Sequence, residues 1–578
     1  MGKVLDRRNL RNVAILATGA ADADIRLVLH AIQAAHAPRR RLARPRRRDV
    51  SRRARAVRRR LRGHPFPLPV QTPGGRQVLV LSTQGRAGWD LQRSGARHIK
   101  ADTLVDLHGQ LKRFGPFDAI IDLSRAADLP HDATWSKLFL HLRDKGVYVS
   151  LQGNENPLTA RLALVSEGRG DKWAKDAVES VTVHGAALVV EKKGCHYLKL
   201  RDHEVDRLLP TRHESATCRV LTTLPAGELL VRTELVSHGA QTKISDLEPV
   251  LAYPELRMRL YTGGIAMATH SLLFTEGTML PETFRHHLHR RLQHRKVTDS
   301  TDQFGTLPDK HLPGTRLEGV YYNLNSPFPG HFGHITTEVL SRLWGWDEAK
   351  RQFPELKAIW QIPTSKDRDP QLERQLFRAY GIDEEDMVWT DRPVWLSSVV
   401  GVTPMWHNNP PHYVHPGMAQ VWKRIGANLA EDPGFEASRI FVSRRASLAR
   451  TCRNAVEVEE VFRRHGFTVV YPEDLSLAQQ ATTFRNAKVV AGFGGSAMFN
   501  VMYAEGLTNL IVLTHEAYTA RNEYLFASLL GGRTDYFWST PETPHPQGGW
   551  TQEAFISNWS FDFDRHGTAL ELLFASLA

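Results

Sequence analysis

The chain has 578 residues, 42% apolar and 24% charged, a balance that excludes a disordered protein and suffices for about three or four domains. No apolar run approaches the ~18 residues that a membrane-spanning helix needs, and Val13–Ala17 is too short for the core of a secretory signal. The formal net charge is +13, yet residues 39–62 alone hold 14 arginines and one aspartate; removing them from the 75 basic and 62 acidic residues leaves 61 of each.

The body of the protein is therefore neutral. The tract suits a polyanion, either nucleic acid or an anionic membrane surface, and equally suits a solvated linker. No aromatic residue interleaves its arginines for base stacking, and the body lacks the spread basic surface of a nucleic-acid enzyme, so no specific nucleic-acid partner is expected. Cys195, Cys218 and Cys452 are far apart and odd in number, which supports neither a disulfide framework nor a CxxC zinc site. A reducing, cytoplasmic location follows. Residues 39–62 would add a peripheral contact with the inner face of the membrane.

Behind an N-terminal segment, 1–70, an α/β rhythm begins. Val78–Ser82 reads as a strand, Thr103–Arg113 as a helix, Phe117–Leu123 as a strand, His131–Leu142 as a helix and Gly146–Leu151 as a strand. That alternation predicts a Rossmann-like domain over 71–180. The segment vaguely resembles the later half of a Rossmann-like methyltransferase domain, and a methyltransferase is a rival reading. Its TQGRAG loop does not match GxGxxG, which favours a docking or structural role. Residues 181–300 hold short β-type runs, such as Ala187–Val190 and Leu229–Thr233, and read as a β-rich connection. Within them RHHLHRRLQHR, 285–295, puts His286 and His289 on one helix face. A metal is conceivable there, but four arginines and no carboxylate or cysteine point to a basic, solvent-facing helix.

Over 301–410 the rhythm returns. Leu317–Asn323 is a strand and Gly333–Trp344 a helix with Ile335, Val339 and Leu343 in register. Leu356–Ile362 is a strand, Pro370–Tyr380 a helix closed by Gly381, and Val394–Val400 a further strand. Prolines 404, 410, 411 and 416 suggest a crossover into a last lobe, 411–578. There Arg439–Ser443, Phe467–Tyr471, Ala487–Ala491 and Asn509–Leu513 are strands. Between them lie a helix opened by Asn454, with Glu457 at capping-box spacing, and helices Leu475–Arg485 and Ala497–Glu505. Four short strands with three helices predict a doubly wound parallel sheet.

The chemistry gathers in AKVVAGFGGSAMFN, 487–500. A strand runs into Gly492, Gly494 and Gly495, and a helix starts at Ser496. Glycines there admit a ligand close to the backbone, and the free N–H groups of the helix start suit a pyrophosphate. Such turns also occur simply to pack helix on strand. Arg444, directly after the lobe's first strand, would reach the same sheet edge and pair with phosphate oxygens; Arg445 and Arg450 are weaker candidates.

The order FVSR (441–444), Asn454 with Glu457 and Glu459, Gly466–Phe467, YPEDLSLAQQ (471–480), Ala487–Ala491 and GSAMFN (495–500) resembles glycosyltransferase family 61, the DUF563 or capsular-polysaccharide type. FGHITTEVLSRLW, 332–344, resembles the family's N-lobe histidine helix, and the likeness covers roughly 316–535. The family often has a histidine before the Gly-Ser pair; here that residue is Gly494.

The resemblance implies an α/β fold with a GT-B-like pair of Rossmann-like lobes, here preceded by the additional N-terminal α/β domain. It implies inverting transfer from a nucleotide-sugar donor to a glycan or lipid-linked acceptor in surface or capsular polysaccharide assembly. Inversion needs a base for the acceptor hydroxyl and cationic or dipolar stabilisation of the leaving diphosphate. His334 is the base candidate, with Glu338 four residues on to orient it, and His331 is the alternative. Arg444, Arg450, Glu473, Gly492, Gly494, Gly495, Ser496 and Asn500 would bind the donor. For Glu473 and Asn500 a purely local role is equally open, and Gln480 is as well explained structurally. No metal is expected. The DxD strings at 22–24, 367–369 and 562–564 are weak, and Asp369 reads better as a helix N-cap. A non-catalytic nucleotide-sugar-binding or scaffold protein is the remaining alternative.

Overall fold

The computed structural model describes residues 13–15, 78–81, 97–98, 103–122, 131–150 and 157–577. From the last range 168, 170, 171, 185, 186, 214, 215, 240–247, 269, 270, 302, 309–311, 363–368, 430–435 and 446–448 are excepted. The arginine tract, the TQGRAG loop and the first DxD string lie outside these residues, as do two of the three residues of the second string.

Val489, Val490 and Ala491 are all buried, as a central parallel strand covered on both faces requires. Their strand, Val489–Phe493, belongs to a six-stranded sheet of the last lobe. Its order is Thr233–His238, Gly532–Ser539, Asn509–His515, Val489–Phe493, Arg439–Val442, Thr468–Val470, parallel throughout. Strand order reverses between Arg439–Val442 and Val489–Phe493. Open α/β sheets bind ligands at such a switch, beyond the carboxyl ends of the strands. The loops carrying Arg444 and Gly494–Ser496 leave from these two neighbours.

The middle of the chain forms an eleven-stranded mixed sheet. Its parallel part is Val394–Val402, Thr315–Asn323, Lys357–Gln361 and Met387–Thr390. The antiparallel strand Leu256–Met267 continues it through Val394–Val402. Strands from 181–300 and from 301–410 thus share one sheet, and Thr233–His238 crosses into the last lobe's sheet. The expected boundary at residue 300 is not a structural one. Likewise Val13–Ile15 pairs in parallel with Val78–Leu81 in a seven-stranded N-terminal sheet, so segment 1–70 contributes a strand to the domain expected at 71–180. That sheet docks on the middle one through Arg212, whose Nη1 donates to the Lys112 and Phe114 carbonyls at 2.9 and 2.8 Å, and through the His108, His141 and Phe304 rings.

Several local expectations change. The helix expected over 285–295 is a run of turns, with His287 buried rather than solvent-facing. Asp369 is not an N-cap: Pro370 holds that position before helix Gln371–Tyr380, without a side-chain cap. Asn454 caps no helix through its side chain. Its Oδ1 accepts from the Phe561 N–H and its Nδ2 donates to the Phe561 carbonyl, which ties two segments together instead. The capping box falls at Ser476 and Gln479, opening helix Leu477–Asn486.

Candidate active site

The helix after strand Thr315–Asn323 is irregular. One α-turn, Phe332–His334, gives way to a π-helical turn, Ile335–Val339, and then to 3-10 geometry over Leu340–Gly345. Ile335, Val339 and Leu343 are fully buried and anchor it. π-turns inside helices recur at functional sites. Here the turn leads directly from His334 to Glu338, whose Oε1 lies 2.8 Å from His334 Nδ1 and 2.7 Å from Arg285 Nε. Burial pushes the Glu338 carboxyl up, but Arg285 and then His334 outweigh it and hold it at about 2. An ionised Glu338 makes Nδ1 the donor and leaves His334 Nε2 as an acceptor. Phe328 stacks on the imidazole at 3.9 Å and His331 meets it edge-on at 4.6 Å. About 17% of the His334 side chain stays open. Burial, then His334, with a contribution from Arg450, holds His331 below the usual histidine range.

Across from this helix stands the glycine loop. A Cβ on Gly333 would come within 2.9 Å of the Ser496 Cβ and 3.1 Å of Phe499, so the histidine helix and the glycine loop touch at van der Waals distance. Gly495 has φ 145°, a conformation favouring glycine. A Cβ there would lie 3.5 Å from Arg450 Nη2 and 3.7 Å from Arg444 Nη1. Both guanidiniums thus converge on one point above the loop. Burial, then Arg450, lowers the Arg444 pKa.

Arg444 leaves its strand from a fixed stem. Ser443 N–H donates to the Val470 carbonyl at 2.9 Å, and Ser443 Oγ donates to buried Glu459 at 2.6 Å. Arg450 is held in a left-handed conformation, φ 56°, with its N–H on the Ile556 carbonyl and its guanidinium over the Tyr518 and Phe555 rings. Such a conformation costs about 1–3 kcal/mol and persists only where surroundings enforce it.

The amide cradle differs from expectation. Gly494 N–H donates to the Leu513 carbonyl at 2.9 Å and Gly495 N–H to buried Glu523 at 2.8 Å. Gly492 is a packing glycine, because a Cβ would meet the Val442 carbonyl oxygen at 2.5 Å. At Gly494 a Cβ would press on Thr514 at 3.2 Å and Tyr518 at 3.4 Å, which explains the lack of a larger residue there. The segment Ser496–Tyr503 is a 3-10 helix with Gly495 as N-cap.

Other candidates fall aside from the arginine pair. Asn500 is buried and donates to the Ala497 carbonyl. Glu473 is exposed and accepts from the Arg445 N–H at 2.6 Å. Arg445 itself turns onto Tyr471 and pairs with Asp474. Gln480 donates to the Pro472 and Leu475 carbonyls, a structural tie.

Sequence reasoning missed Arg285, Glu523 and His515. His515 is buried at the end of strand Asn509–His515, one residue beyond Thr514, and neither ring nitrogen has a hydrogen-bond partner among the described residues. Burial, then Arg450 and His545, holds its pKa at about 4. Arg285 opens the 285–295 run that reads as a solvent-facing helix, and Glu523 lies in no recognisable spacing; His515 offered only the signal of a strand-terminal histidine on the switch-point sheet. His286, His287, His289 and His407 pack ring to ring. Among the described residues no three His, Cys, Asp or Glu side chains gather as a metal site.

Residues 332–511, which contain His334, Glu338, Arg444, Arg450 and the glycine loop, match the family model described as Glycosyltransferase 61. No curated protein matches the chain. Among solved structures it is similar to MycE methyltransferase from the mycinamycin biosynthetic pathway in complex with Mg and SAH, and to the same enzyme with Mg, SAH and mycinamycin VI. Each shows 16% identity and a TM-score of 0.20 over 32% of this chain and 46% of that one. The chain thus spans about half the length of those solved structures.

Proposed function

We infer, from the membership of residues 332–511 in glycosyltransferase family 61, that this glycosyltransferase moves a sugar with inversion from a nucleotide-sugar donor to a hydroxyl of a glycan or lipid-linked acceptor. Surface or capsular polysaccharide assembly is the setting that fits this chemistry. One observation carries the reading: two guanidiniums, Arg444 and Arg450, converge over Gly495, in a loop whose next residue, Ser496, meets the helix that holds His334 at Gly333.

In this reading the donor diphosphate sits between the arginines, beside the first N–H groups of Ser496–Tyr503, and His515 offers a further N–H nearby. The acceptor oxygen attacks the anomeric carbon. His334 Nε2 takes the hydroxyl proton, and the bond from the anomeric carbon to the phosphate oxygen breaks. The electron pair leaves with the nucleoside diphosphate, whose charge Arg444 and Arg450 offset. Glu338 stabilises the imidazolium and fixes its orientation, as a carboxylate behind a catalytic histidine does. The two lobes would face each other in the GT-B manner, with the donor on the 411–578 side. The chain would act on the cytoplasmic side, with residues 39–62 touching anionic lipid. No helix of the described residues is long and apolar enough to cross a membrane.

Transfer and donor hydrolysis, assayed across nucleotide sugars, test this. His334→Ala should cut turnover by about 10²–10⁴-fold with nucleotide affinity kept. Arg444→Ala should weaken nucleotide binding by roughly ten-fold or more. Turnover unchanged in His334→Ala removes the base assignment. If the wild type consumes no nucleotide sugar, the donor assignment falls.

A further inference from the structure

A cleft of about 500 Å³ opens beside the Phe328–His334 stack. Among the described residues Arg285, His286, Arg291, His294, Arg295 and Phe328 line it, and no acidic residue does. It shares two walls with the candidate base. Phe328 stacks on His334 and also carries the Arg295 guanidinium 5.4 Å from its centroid. Arg285 lines the cleft and bonds to Glu338. Arg291 and Arg295 are exposed, and neither has an ion-pair partner among the described residues.

The loop presenting them is pinned from beneath. Buried Lys199 donates to the His286 and Arg291 carbonyls at 2.9 and 3.1 Å, and Leu292 is buried in an apolar cluster with Phe284 and Val297. Two guanidiniums without an ion-pair partner among the described residues, Arg291 and Arg295, on a braced loop beside the Glu338-paired Arg285, form a site that an anion completes. The planar fork of arginine matches carboxylate and phosphate oxygens bidentately. A neutral sugar would need no such charge.

We propose that this cleft binds the acceptor, and that the acceptor is a glycan carrying an anionic substituent, a uronate carboxylate or a phosphate ester, next to the hydroxyl that receives the sugar. The inference rests on the glycosyltransferase reading, because the shared wall with His334 is what makes the cleft the acceptor side. Beside Phe328 the acceptor hydroxyl comes to His334, and Arg291 and Arg295 hold the acid.

The test is equilibrium titration of the full chain with a galacturonate trisaccharide, its carboxyl-reduced neutral counterpart and glucose 6-phosphate, at low and high salt, with UDP titrated in parallel. The wild type should bind one acidic sugar at least about ten-fold tighter than the neutral trisaccharide, a preference that shrinks with salt. Whichever acidic sugar binds tighter identifies the substituent as carboxylate or phosphate. In R291Q/R295Q the preference should vanish. Arg291→Gln and Arg295→Gln singly, each losing part of the preference, carry the test if the double variant does not fold. Equal affinity for acidic and neutral sugars, no binding of any of them, or a preference untouched by the variants overturns the proposal. An acidic preference lost in the variants, in a protein that binds no UDP, would uphold the cleft and remove only the donor assignment.

Discussion

Gly495 and Glu338 do their work through what a single atom would change. Replacing Gly495 by Ala forces a side chain onto φ 145° and puts a methyl 3.5 Å from Arg450 Nη2, where a phosphate oxygen would lie. Backbone strain of about 1–3 kcal/mol is expected. Calorimetric titration with UDP should show Gly495→Ala binding roughly ten-fold or more weakly, whereas Gln480→Ala should leave it unchanged. Glu338 makes a pH prediction. Its folded pKa of about 2 lies below the ordinary 4.5, so the unfolded chain binds its proton more readily. The resulting stabilisation is complete above pH about 4.5 and is lost as pH falls towards 2. Wild-type Tm should drop across that window more steeply than the Tm of Glu338→Gln, measured by thermal melts at stepped pH. The spacing of His334 and Glu338 made this pair legible from the chain alone. Arg285 was not, because its partner is 53 positions away and only the tertiary fold brings them together.

Between elements, the decisive contact is Gly333 against the glycine loop. A methyl at 333 would overlap Ser496 Cβ at 2.9 Å, and overpacking of this kind costs about 1–3 kcal/mol. Gly333→Ala should lower Tm and reduce kcat by up to about 10²-fold, since the histidine helix must step back from the arginine pair. Ser496→Gly in the same chain should restore part of both, because it removes the overlapping atom. The elements themselves were mostly visible beforehand. The period of Ile335, Val339 and Leu343 foretold a buried helix face, and all three are fully buried. Its π and 3-10 turns were not visible, because local winding answers to packing and not to the apolar period. Asn454 shows the same limit: a capping spacing exists, but the Phe561 backbone captures the side chain.

Across the molecule, strand Thr233–His238 joins the middle of the chain to the last lobe by pairing in parallel with Gly532–Ser539. Asp535, fully buried, secures it by accepting from His238 Nε2 at 2.8 Å and from Arg533 at 2.8 and 3.0 Å. Asp535→Ala should destabilise by about 1–3 kcal/mol, because it removes the acceptor of hydrogen bonds from half-buried His238 and partly exposed Arg533. Amide exchange should accelerate most over 233–238 and 532–539; exchange unchanged there would refute the latch.

Alternating apolar runs and glycine punctuation sufficed to reveal strands, helices, the α/β class and the two stretches that form the candidate site. These are local properties, set by side-chain period and backbone freedom within a few residues. Tertiary structure alone decided that residues on both sides of position 300 share one sheet, that Arg450 joins Arg444 over Gly495, and that Glu523 takes the Gly495 amide. Each of these depends on burial between segments distant in the chain, where the gain from packing and from satisfied polar groups outweighs any local preference.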